Sequence, residues 1–553
     1  MQNNRLTHSR ADGQQILAIC ALLLCCAMNA AIAATEPPAT PTALRSHLAQ
    51  VLATHPDPPV GGSLTVAELA AFYAARDYRP LWNEAAASTA WERALAGLAA
   101  DGLDPDRYLA PATGFSAGRQ FCRELAMTAA WLQAQLDLRF GALDRQTIEP
   151  LWRQRPTSLA GARRSLLGSA PAFAREPATA IALARPELPV YRALGEALVA
   201  LPGRENAAPW QQLPDGRLLR PGQSDPRVPL LRARLRAENF LPAAGSGVDQ
   251  LRYDRELALA VEAFQHRHLL AVDGIVGPAT LAALNQTHAQ RRAQLEANLE
   301  RWRWLQHEQL PHQIVVDIAA ANIAYYRDNQ LQWHARATVG RSLRQTPSLR
   351  SAVSHFTLNP SWTVPPTIFR EDKLPAIRAN PEYLQEQNLR VLDAQGSQLD
   401  PETIDWQRPG AIILRQLPGP DNPLGRIAIR FPNPFSVYLH DTPGKQLFAR
   451  AQRTDSSGCV RVEDVMTLAE EMLRSNRQYD PAAVASRLAS GTTSDLPLLA
   501  PVPLLMDYWT ADLDARGTLV LRPDIYGRDA ALAAALSRRP ATSPPLPPAC
   551  NGP

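Results

Sequence analysis

A histidine and a cysteine stand nineteen residues apart in a stretch whose residue types suit acyl-transfer chemistry. His440 ends a short alternation in which the apolar Val437 and Leu439 share one side of a predicted strand. Because side chains alternate across a strand, Tyr438 and His440 are expected on the other side. Cys459 comes later, directly after a small polar turn of two serines and a glycine. A thiolate is a strong nucleophile, and a nearby imidazole can generate or stabilise it.

The turn before Cys459 offers backbone N–H groups to a reacting carbonyl oxygen. Apolar residues at helical spacing follow the cysteine and place it shortly before a helix: Val465, Leu468, Ala469, Met472 and Leu473. The N–H groups around Ser457, Gly458 and Cys459 could hold the oxyanion of a tetrahedral intermediate. The pattern therefore predicts nucleophilic catalysis by a cysteine.

Each of these residues also has an ordinary structural interpretation. A lone cysteine in a long chain is usually a small buried hydrophobe, and a lone histidine is usually structural. Arg461 could equally be a salt-bridge partner. The polar turn is a poor core environment for Cys459, however, and the pairing with His440 favours catalysis.

The two halves of this stretch together resemble the signature of the L,D-transpeptidases, the cysteine enzymes that cross-link peptidoglycan. The family pattern is a histidine, a small or polar residue and a threonine, followed later by Ser-x-Gly-Cys-(Val/Ile)-Arg. Here it reads His440-Asp441-Thr442 and Ser456-Ser457-Gly458-Cys459-Val460-Arg461. The resemblance implies that Cys459 is the nucleophile and that His440 is the general base and later the general acid. It implies a reaction that needs no metal and no cofactor.

The same resemblance implies supporting roles around this pair. Either Ser456 or the backbone carbonyl of Asp441 would orient the imidazole. Asp441 stands where many relatives have glycine, which leaves the chemistry unaffected if only its backbone is used. The other residues expected at the oxyanion and substrate site are Ser457, Gly458, Arg461, Tyr438 and Thr442.

Length, charge and cysteine count bound the rest of the chain. At 553 residues several domains are expected, since single cores seldom exceed ~300 residues. The 57 Lys and Arg against 53 Asp and Glu argue against a nucleic-acid binder. Beyond the N-terminal segment only Cys122, Cys459 and Cys550 remain, so one thiol must stay unpaired in the monomer. Pairing of Cys122 with Cys550 is left open, and no Cys or His spacing matches a zinc site.

The N-terminus predicts export. Residues 1–33 combine Arg5 and Arg10 with an apolar run from Ile16 to Met28 and a small-residue cleavage site. The run is shorter than the ~20 residues of a comfortable membrane span, which favours a secretory signal peptide. The alternative is an uncleaved anchor in the inner membrane. The expected location is the periplasm, in association with peptidoglycan.

The patterns along the chain predict a multidomain α+β protein. Residues 34–214 carry recurrent helical signals after a Pro-rich lead that ends near residue 59, and they resemble the scaffold domain of the large periplasmic L,D-transpeptidases. A three-helix module, residues 215–287, follows and is described below. After it the sequence predicts a connecting helix (288–308), a mainly β catalytic domain (309–535) with a capping insertion (about 368–408), and a disordered tail (536–553).

Residues 215–287 resemble the three-helix peptidoglycan-binding domain. Its hallmark is Phe-Gln followed by Val-Asp-Gly-x-x-Gly-Pro-x-Thr, which here reads Phe264-Gln265 and then Val272 to Thr280. The two glycines suit tight turns and the proline suits the first turn of a helix. The resemblance implies wall binding but assigns no individual binding residue.

Taken together, the resemblance implies an L,D-transpeptidase that forms 3→3 peptidoglycan cross-links. Cys459 would attack a tetrapeptide stem, release D-alanine and pass the acyl group to a second stem. The open alternatives are an L,D-carboxypeptidase, attachment of the stem to a protein, and a non-catalytic wall-binding scaffold. The expected partners are donor and acceptor stems, with other cell-wall synthesis enzymes as further candidates. Carbapenems are expected to acylate Cys459.

Overall fold

The computed structural model describes residues 39–54, 63–113, 120–156, 158–201, 211–242, 250–380 and 382–540. Within these residues the chain is the multidomain α+β protein that was predicted, with helices in its N-terminal part and a large sheet in its C-terminal part. None of the helices in these ranges is long and apolar enough to cross a membrane. The predicted signal peptide, Cys550 and the chain beyond residue 540 lie outside the described residues.

Helices and strands are named here in chain order. The helices are α1 Pro41–Thr54, α2 Val66–Ala74, α3 Ala85–Ala96, α4 Asp106–Thr113, α5 Gln120–Phe140, α6 Arg145–Ile148, α7 Ala160–Ser169, α8 Pro177–Ala184, α9 Pro189–Ala200, α10 Val228–Ala237, α11 Arg255–Arg267, α12 Pro278–Leu284, α13 His288–Leu305, α14 Pro366–Ile368, α15 Leu374–Ala379, α16 Tyr383–Glu386, α17 Val465–Ser475, α18 Pro481–Ala489 and α19 Asp529–Arg538. The strands are β1 Trp152–Arg153, β2 Gln313–Asp317, β3 Asn322–Arg327, β4 Gln330–Thr338, β5 Leu349–Leu358, β6 Trp362–Thr363, β7 Leu389–Leu392, β8 Ile413–Gln416, β9 Ile427–Arg430, β10 Leu439–His440, β11 Val460–Val462, β12 Ser494–Asp507, β13 Ala511–Leu513 and β14 Leu519–Leu521.

The N-terminal region packs its helices around α5, which is buried on nearly every side. Two features depart from the sequence prediction. The Pro-rich lead contains α1, whose Leu44 and Leu48 are buried in the helical core. The region is also not entirely helical, because β1 leaves it and pairs in parallel with β5 of the C-terminal sheet. The N-terminal and C-terminal parts therefore share a sheet edge.

In the three-helix module, the buried side chain of Gln265 connects the hallmark residues. Gln265 Oε1 accepts hydrogen bonds from the N–H groups of Asp273 and Gly274. Its Nε2 donates to Asp273 Oδ1, to the Ile275 carbonyl and to Thr280 Oγ1. Each of these residues belongs to the loop or to the start of α12, so the Gln, Asp-Gly and Thr positions form one hydrogen-bond network. The motif residues therefore fix the conformation of the loop before α12.

The connecting helix α13 is a buried central element. Sequence predicted a charged helix, and the charged residues Glu300, Arg301 and Arg303 are at most 1% exposed. Arg301 binds Glu149 at 2.7 Å and Asp529 at 2.5 Å, which joins the N-terminal region to α19. A buried charge needs such partners because it has lost its hydration. The helix thus links the module, the N-terminal region and the C-terminal domain.

The C-terminal domain is built on a sheet that closes on itself. Its strand order is β1-β5-β12-β2-β3-β4-β11-β10-β9, and β9 pairs again with β5, so all strands except β1 form a closed ring. The interior of this barrel is apolar and is covered at one side by α17. The mainly β prediction agrees with this architecture, although strand alternation alone gave no indication of closure.

Strand β12 contains prolines, which are unusual in a central strand. Residues 496 to 506 looked like a Pro/Leu-rich passage, yet they lie in the longest strand of the domain. β12 runs antiparallel to β5 and parallel to β2, with an irregularity between Pro497 and Val502. A proline in a central strand is normally excluded because it lacks an N–H, and Pro501 lies within the irregularity, where such a residue is tolerated.

The predicted capping insertion is a small folded unit. A three-stranded antiparallel sheet in the order β6-β8-β7 packs with α15 and α16 around its own apolar core. This unit extends from Trp362 to Gln416, wider than the predicted 368–408, because β6 and β8 close it at either end.

Candidate active site

The parallel pairing of β10 with β11 places the predicted base and nucleophile on neighbouring strands. Leu439 pairs with Val460 and His440 with Arg461, so Tyr438 is the position opposite Cys459. Residues paired across a sheet point to the same face, and residues two apart on one strand do as well. Cys459, Tyr438 and His440 therefore share one face, as the alternation in the sequence predicted for the last two. The Tyr438 and His440 rings are 5.5 Å apart between centroids.

The imidazole of His440 is fixed by a backbone carbonyl. Its Nδ1 lies 2.5 Å from the Asp441 carbonyl oxygen, which requires the proton on Nδ1 and leaves Nε2 as the basic nitrogen. His440 is buried, and burial lowers its pKa to about 3, with the Arg461 and Arg430 cations acting in the same direction. The ring is consequently neutral at physiological pH and able to accept a proton.

Of the two groups proposed to orient His440, the structure places the Asp441 carbonyl at the ring. Both hydrogen bonds of Ser456 Oγ stay within the segment Ser456–Cys459, here called the cysteine turn. This hydroxyl donates to the Cys459 carbonyl at 2.5 Å and accepts from the Gly458 N–H at 3.1 Å. Ser456 therefore braces the turn. One expected oxyanion donor, the Gly458 N–H, is already engaged by it.

The Cys459 sulfur lies against Tyr438. The Cys459 thiol donates to the Ser436 carbonyl, with the sulfur 3.9 Å from the oxygen. Burial raises the pKa of the thiol above its ordinary value, although the neighbouring Tyr438 favours the thiolate. Among the cysteines in the described ranges Cys459 is the free one, since Cys122 is disulfide-bonded. The contact between the Cys459 thiol and the Ser436 carbonyl was not apparent from the sequence.

A second brace holds the cysteine turn from the opposite side. Thr346 Oγ1 donates to the Gly458 carbonyl at 3.0 Å and accepts from the Gly340 N–H at 2.9 Å. The Tyr526 hydroxyl accepts from the Thr346 N–H and donates to the Gly340 carbonyl. Gly458 has φ +112°, a conformation that a residue with a side chain rarely adopts. The turn is therefore fixed by groups from both ends of the C-terminal domain.

Arg430 is a cation beside the site that sequence analysis missed. Its guanidinium carbon lies 4.1 Å from the centre of the Tyr438 ring, and its charge favours the thiolate of Cys459. The alternation of β9 could have indicated that Arg430 points away from the apolar face, but only the pairing with β10 shows what it meets. Arg461, which was predicted at the substrate site, is half-buried and also favours the thiolate.

Arg344 joins the cysteine turn to the folded insertion. Its Nη1 donates to Ser457 Oγ at 3.0 Å and to Asp372 Oδ2 at 2.7 Å. Glu371 of the insertion also binds this guanidinium at 2.5 Å. Ser457 is therefore exposed at the boundary between the barrel and the insertion, where it was expected to line the site.

Two further predicted residues support the loop that follows His440. Thr442 is buried, and its hydroxyl accepts from the Gly444 N–H at 3.2 Å. The Asp441 carboxylate accepts from the Arg426 N–H at 2.9 Å and pairs with Lys445. Asp441 thus uses both its backbone and its side chain, whereas only the backbone was expected to act.

Comparison with known families agrees with this architecture and places the site within a known class of domain. Residues 311–493 match the family model of the L,D-transpeptidase catalytic domain. Residues 67–198 match a scaffold domain, and residues 224–284 match a "Putative peptidoglycan binding domain". These matches confirm the resemblance to L,D-transpeptidases found in the sequence.

Individual relatives resemble parts of the chain. A Haemophilus influenzae protein named "Putative L,D-transpeptidase" is 38% identical over 219 residues, which are 39% of this chain and 44% of that protein. The chain thus spans less than half the length of this relative. An L,D-transpeptidase structure from Xylanimonas cellulosilytica is 14% identical, with a TM-score of 0.16, over 53% of this chain and 99% of that one. The Ldtfm–avibactam carbamoyl enzyme is 11% identical, with a TM-score of 0.17, over 36% and 49%. TM-scores this low carry no structural argument.

Proposed function

We propose that this protein is an L,D-transpeptidase that forms 3→3 cross-links in peptidoglycan through a thioester on Cys459. The observation that supports this most directly is the β10–β11 register, which brings Cys459 and His440 to one face. The fixed Nδ1 proton of His440 leaves Nε2 free to take the thiol proton. The L,D-transpeptidase catalytic domain matched by residues 311–493 supports the class of reaction.

In the first half-reaction the Cys459 sulfur attacks a carbonyl carbon of a tetrapeptide donor stem while His440 Nε2 accepts the thiol proton. The bond attacked joins the diamino acid to the terminal D-alanine. The oxyanion is stabilised by the N–H groups of Ser457 and Cys459, because those of Ser456 and Gly458 are already engaged. When the tetrahedral intermediate collapses, the C–N bond breaks, D-alanine takes the proton from His440, and a thioester remains.

In the second half-reaction the side-chain amine of an acceptor stem attacks the thioester carbonyl. His440 removes a proton from the amine and returns it to the departing sulfur, so the free thiol is restored and a 3→3 amide bond is formed. The insertion 362–416 stands next to the cysteine turn through Arg344. Its proposed role is to exclude water, which favours the amine acceptor over hydrolysis.

The proposed setting is extracytoplasmic, because the substrate of such a domain is peptidoglycan. The predicted signal at residues 1–33 and the proposed domain boundaries belong to the same hypothesis. Other cell-wall synthesis enzymes are proposed partners. Hydrolysis of the thioester or transfer of the stem to a protein amine would use the same first step.

Intact-protein mass spectrometry with a disaccharide-tetrapeptide tests the proposal. Residues 34–553 should gain a transient acyl adduct and produce 3→3 dimers, whereas the Cys459→Ala variant should gain none. Accumulation of tripeptide without dimers would instead indicate a carboxypeptidase. A carbapenem should leave a stable adduct on Cys459, and an unmodified cysteine after long exposure would contradict the assignment.

A further inference from the structure

A large cavity of the described residues lies away from the candidate active site. It measures about 1640 Å³ and is lined by the three-helix module, by α13, by the C-terminal domain and by α19. Neither His440 nor Cys459 lines it. Sites for small molecules usually measure about 300–1,000 Å³, so this space, here called the interdomain groove, is large enough for a polymer.

The wall formed by the module is the loop that the Gln265 network shapes. Leu270, Asp273 and the segment Gly277–Thr280 face the groove, with the exposed apolar side chains of Leu218 and Leu269 beside them. Exposed apolar groups on a shaped loop, next to backbone polar groups, suit the faces and hydroxyls of a sugar ring. This is the part of the chain that matches a peptidoglycan-binding domain.

The opposite wall is the segment Ala449–Thr454, which carries two arginines whose charges are weakly neutralised. Arg453 donates to the carbonyls of Ala337, Ala320 and Ala321, and these partners are neutral. Arg450 is 57% exposed and lies 3.4 Å from the Asp455 carboxylate, a distance at which a surface pair contributes little. This wall therefore presents positive charge to whatever occupies the groove.

The arginine wall is joined to the cysteine turn through the backbone of Val339. The Val339 N–H donates to the Arg453 carbonyl, and the Ser456 N–H donates to the Val339 carbonyl. Val339, the residue after β4, therefore hydrogen-bonds to both the groove wall and the first residue of the turn.

We propose that the interdomain groove is the binding site for a glycan strand of peptidoglycan. The sugar rings lie against the module loop, and the carboxylates of the stems face Arg450 and Arg453. The identity of the polymer rests on the proposed function, whereas the site itself rests on the size, walls and charge of the groove. Binding energy is shared by the module and the C-terminal domain, so the module loop by itself is half of the site.

Sedimentation with purified sacculi tests this proposal on the full chain in a Cys459→Ala background, where the wall is not modified during the assay. Arg450→Glu reverses a charge on one wall, and Ala279→Trp places bulk on the other. Each should raise the apparent Kd about tenfold, and the effect of Arg450→Glu should grow as the salt concentration falls. Both positions are exposed, and unchanged thermal melting verifies that the variants fold.

Matched controls make the same changes outside the groove. Arg192→Glu alters an exposed arginine of α9, and Ala485→Trp alters an exposed alanine of α18. Both should bind sacculi within twofold of the parent. Equal weakening by Arg192→Glu and Arg450→Glu, or normal binding by Ala279→Trp, would overturn the groove.

The outcome is separable from that of the proposed function. Acyl-adduct formation by the unmodified chain on a soluble tetrapeptide reports on Cys459 alone. Groove-dependent binding without any adduct would support the groove as a binding site and contradict the proposed transpeptidase activity. An adduct without groove-dependent binding does the opposite.

Discussion

Alkylation of Cys459 should rise steeply with pH through the neutral range, because the resting site holds neither an imidazolium nor a thiolate. Burial lowers the pKa of His440 to about 3, so roughly one ring in ten thousand is protonated at pH 7. Burial raises the pKa of the Cys459 thiol above its ordinary value, so only a small fraction of it is ionised at that pH. In the proposed mechanism the thiolate is therefore formed during the reaction, with His440 as the base.

The measurement is the rate of iodoacetamide modification between pH 5 and 9, followed by mass spectrometry of the Cys459 peptide. The rate should climb about tenfold for each pH unit up to pH 8, with no shoulder near neutrality. The Cys459→Ser variant identifies the signal, and the disulfide at Cys122 keeps that residue unreactive.

The Arg430→Gln variant tests whether the positive charge beside the site affects the reactivity of the Cys459 thiol. The Arg430 cation, 4.1 Å from the Tyr438 ring centre, lowers the pKa of the thiol, so the variant should react several-fold more slowly at a given pH. Arg426→Gln is the matched control, because this exposed arginine lies just before the same strand.

A pH-independent rate below pH 7 would refute this reasoning, since it would mean that a thiolate–imidazolium pair already exists at rest. Equal effects of Arg430→Gln and Arg426→Gln would show that Arg430 does not act on the sulfur.

Three further predictions concern the supports of the site and the module. Gly425 has φ +58°, and a Cβ added to it would lie 2.6 Å from the Asp441 Cβ. Gly425→Ala should therefore slow acylation about tenfold, because it displaces the Asp441 carbonyl that orients His440. Gly410→Ala is the control, since Gly410 has a similar φ but lies in open space, and equal acylation rates of the two variants would contradict this prediction. Arg344→Met should raise proteolysis within 366–379 about fivefold, and unchanged cleavage would show that the arginine does not hold the insertion. Burial lowers the pKa of His268 to about 4 from 6.5, so it contributes about 3 kcal/mol to stability above pH 6.5 that is lost as the pH falls towards 4. Thermal melting should show a shallower acid dependence in His268→Leu, and parallel curves would contradict this.

The His268 prediction depends on which of two opposing influences is larger. Its Nε2 lies 4.0 Å from Glu238 Oε2, and a carboxylate favours the charged ring. That distance is too long for a hydrogen bond, and the ring is 3% exposed against Phe264. Loss of hydration therefore outweighs the attraction, and the folded state favours the neutral ring.

Sequence reasoning found the parts of the site that are local in the chain. The alternation before His440 and the polar turn before Cys459 are patterns of a few residues, and the resemblance of the two segments connected them. The three-helix module was likewise recognisable because the network of Gln265 spans one short motif.

The features that sequence reasoning missed depend on contacts between distant segments. Arg430 acts on Tyr438 because β9 pairs with β10, and Thr346 supports Gly458 from more than a hundred residues away. No periodicity encodes such pairings. The hydrogen bond from the Gly458 N–H to Ser456 Oγ was also not predicted, because the sequence does not show which N–H groups are already bonded within the turn. The proline content of β12 does not indicate a central strand, because its position in the barrel depends on pairing with distant strands.

Strand β12 also dictates when the active site can form as the chain emerges. It is the last strand of the barrel in sequence, and it fills the gap between β2 and β5, which come well before it. The segment 311–493 that carries the whole catalytic motif ends just before this strand, so until residue 507 is available β2 and β5 expose unpaired edges. The nascent chain is therefore most prone to misassembly after Cys459 has appeared and before β12 has inserted. A fragment cut at residue 493 should be an open sheet, with its nucleophile present and its barrel unfinished.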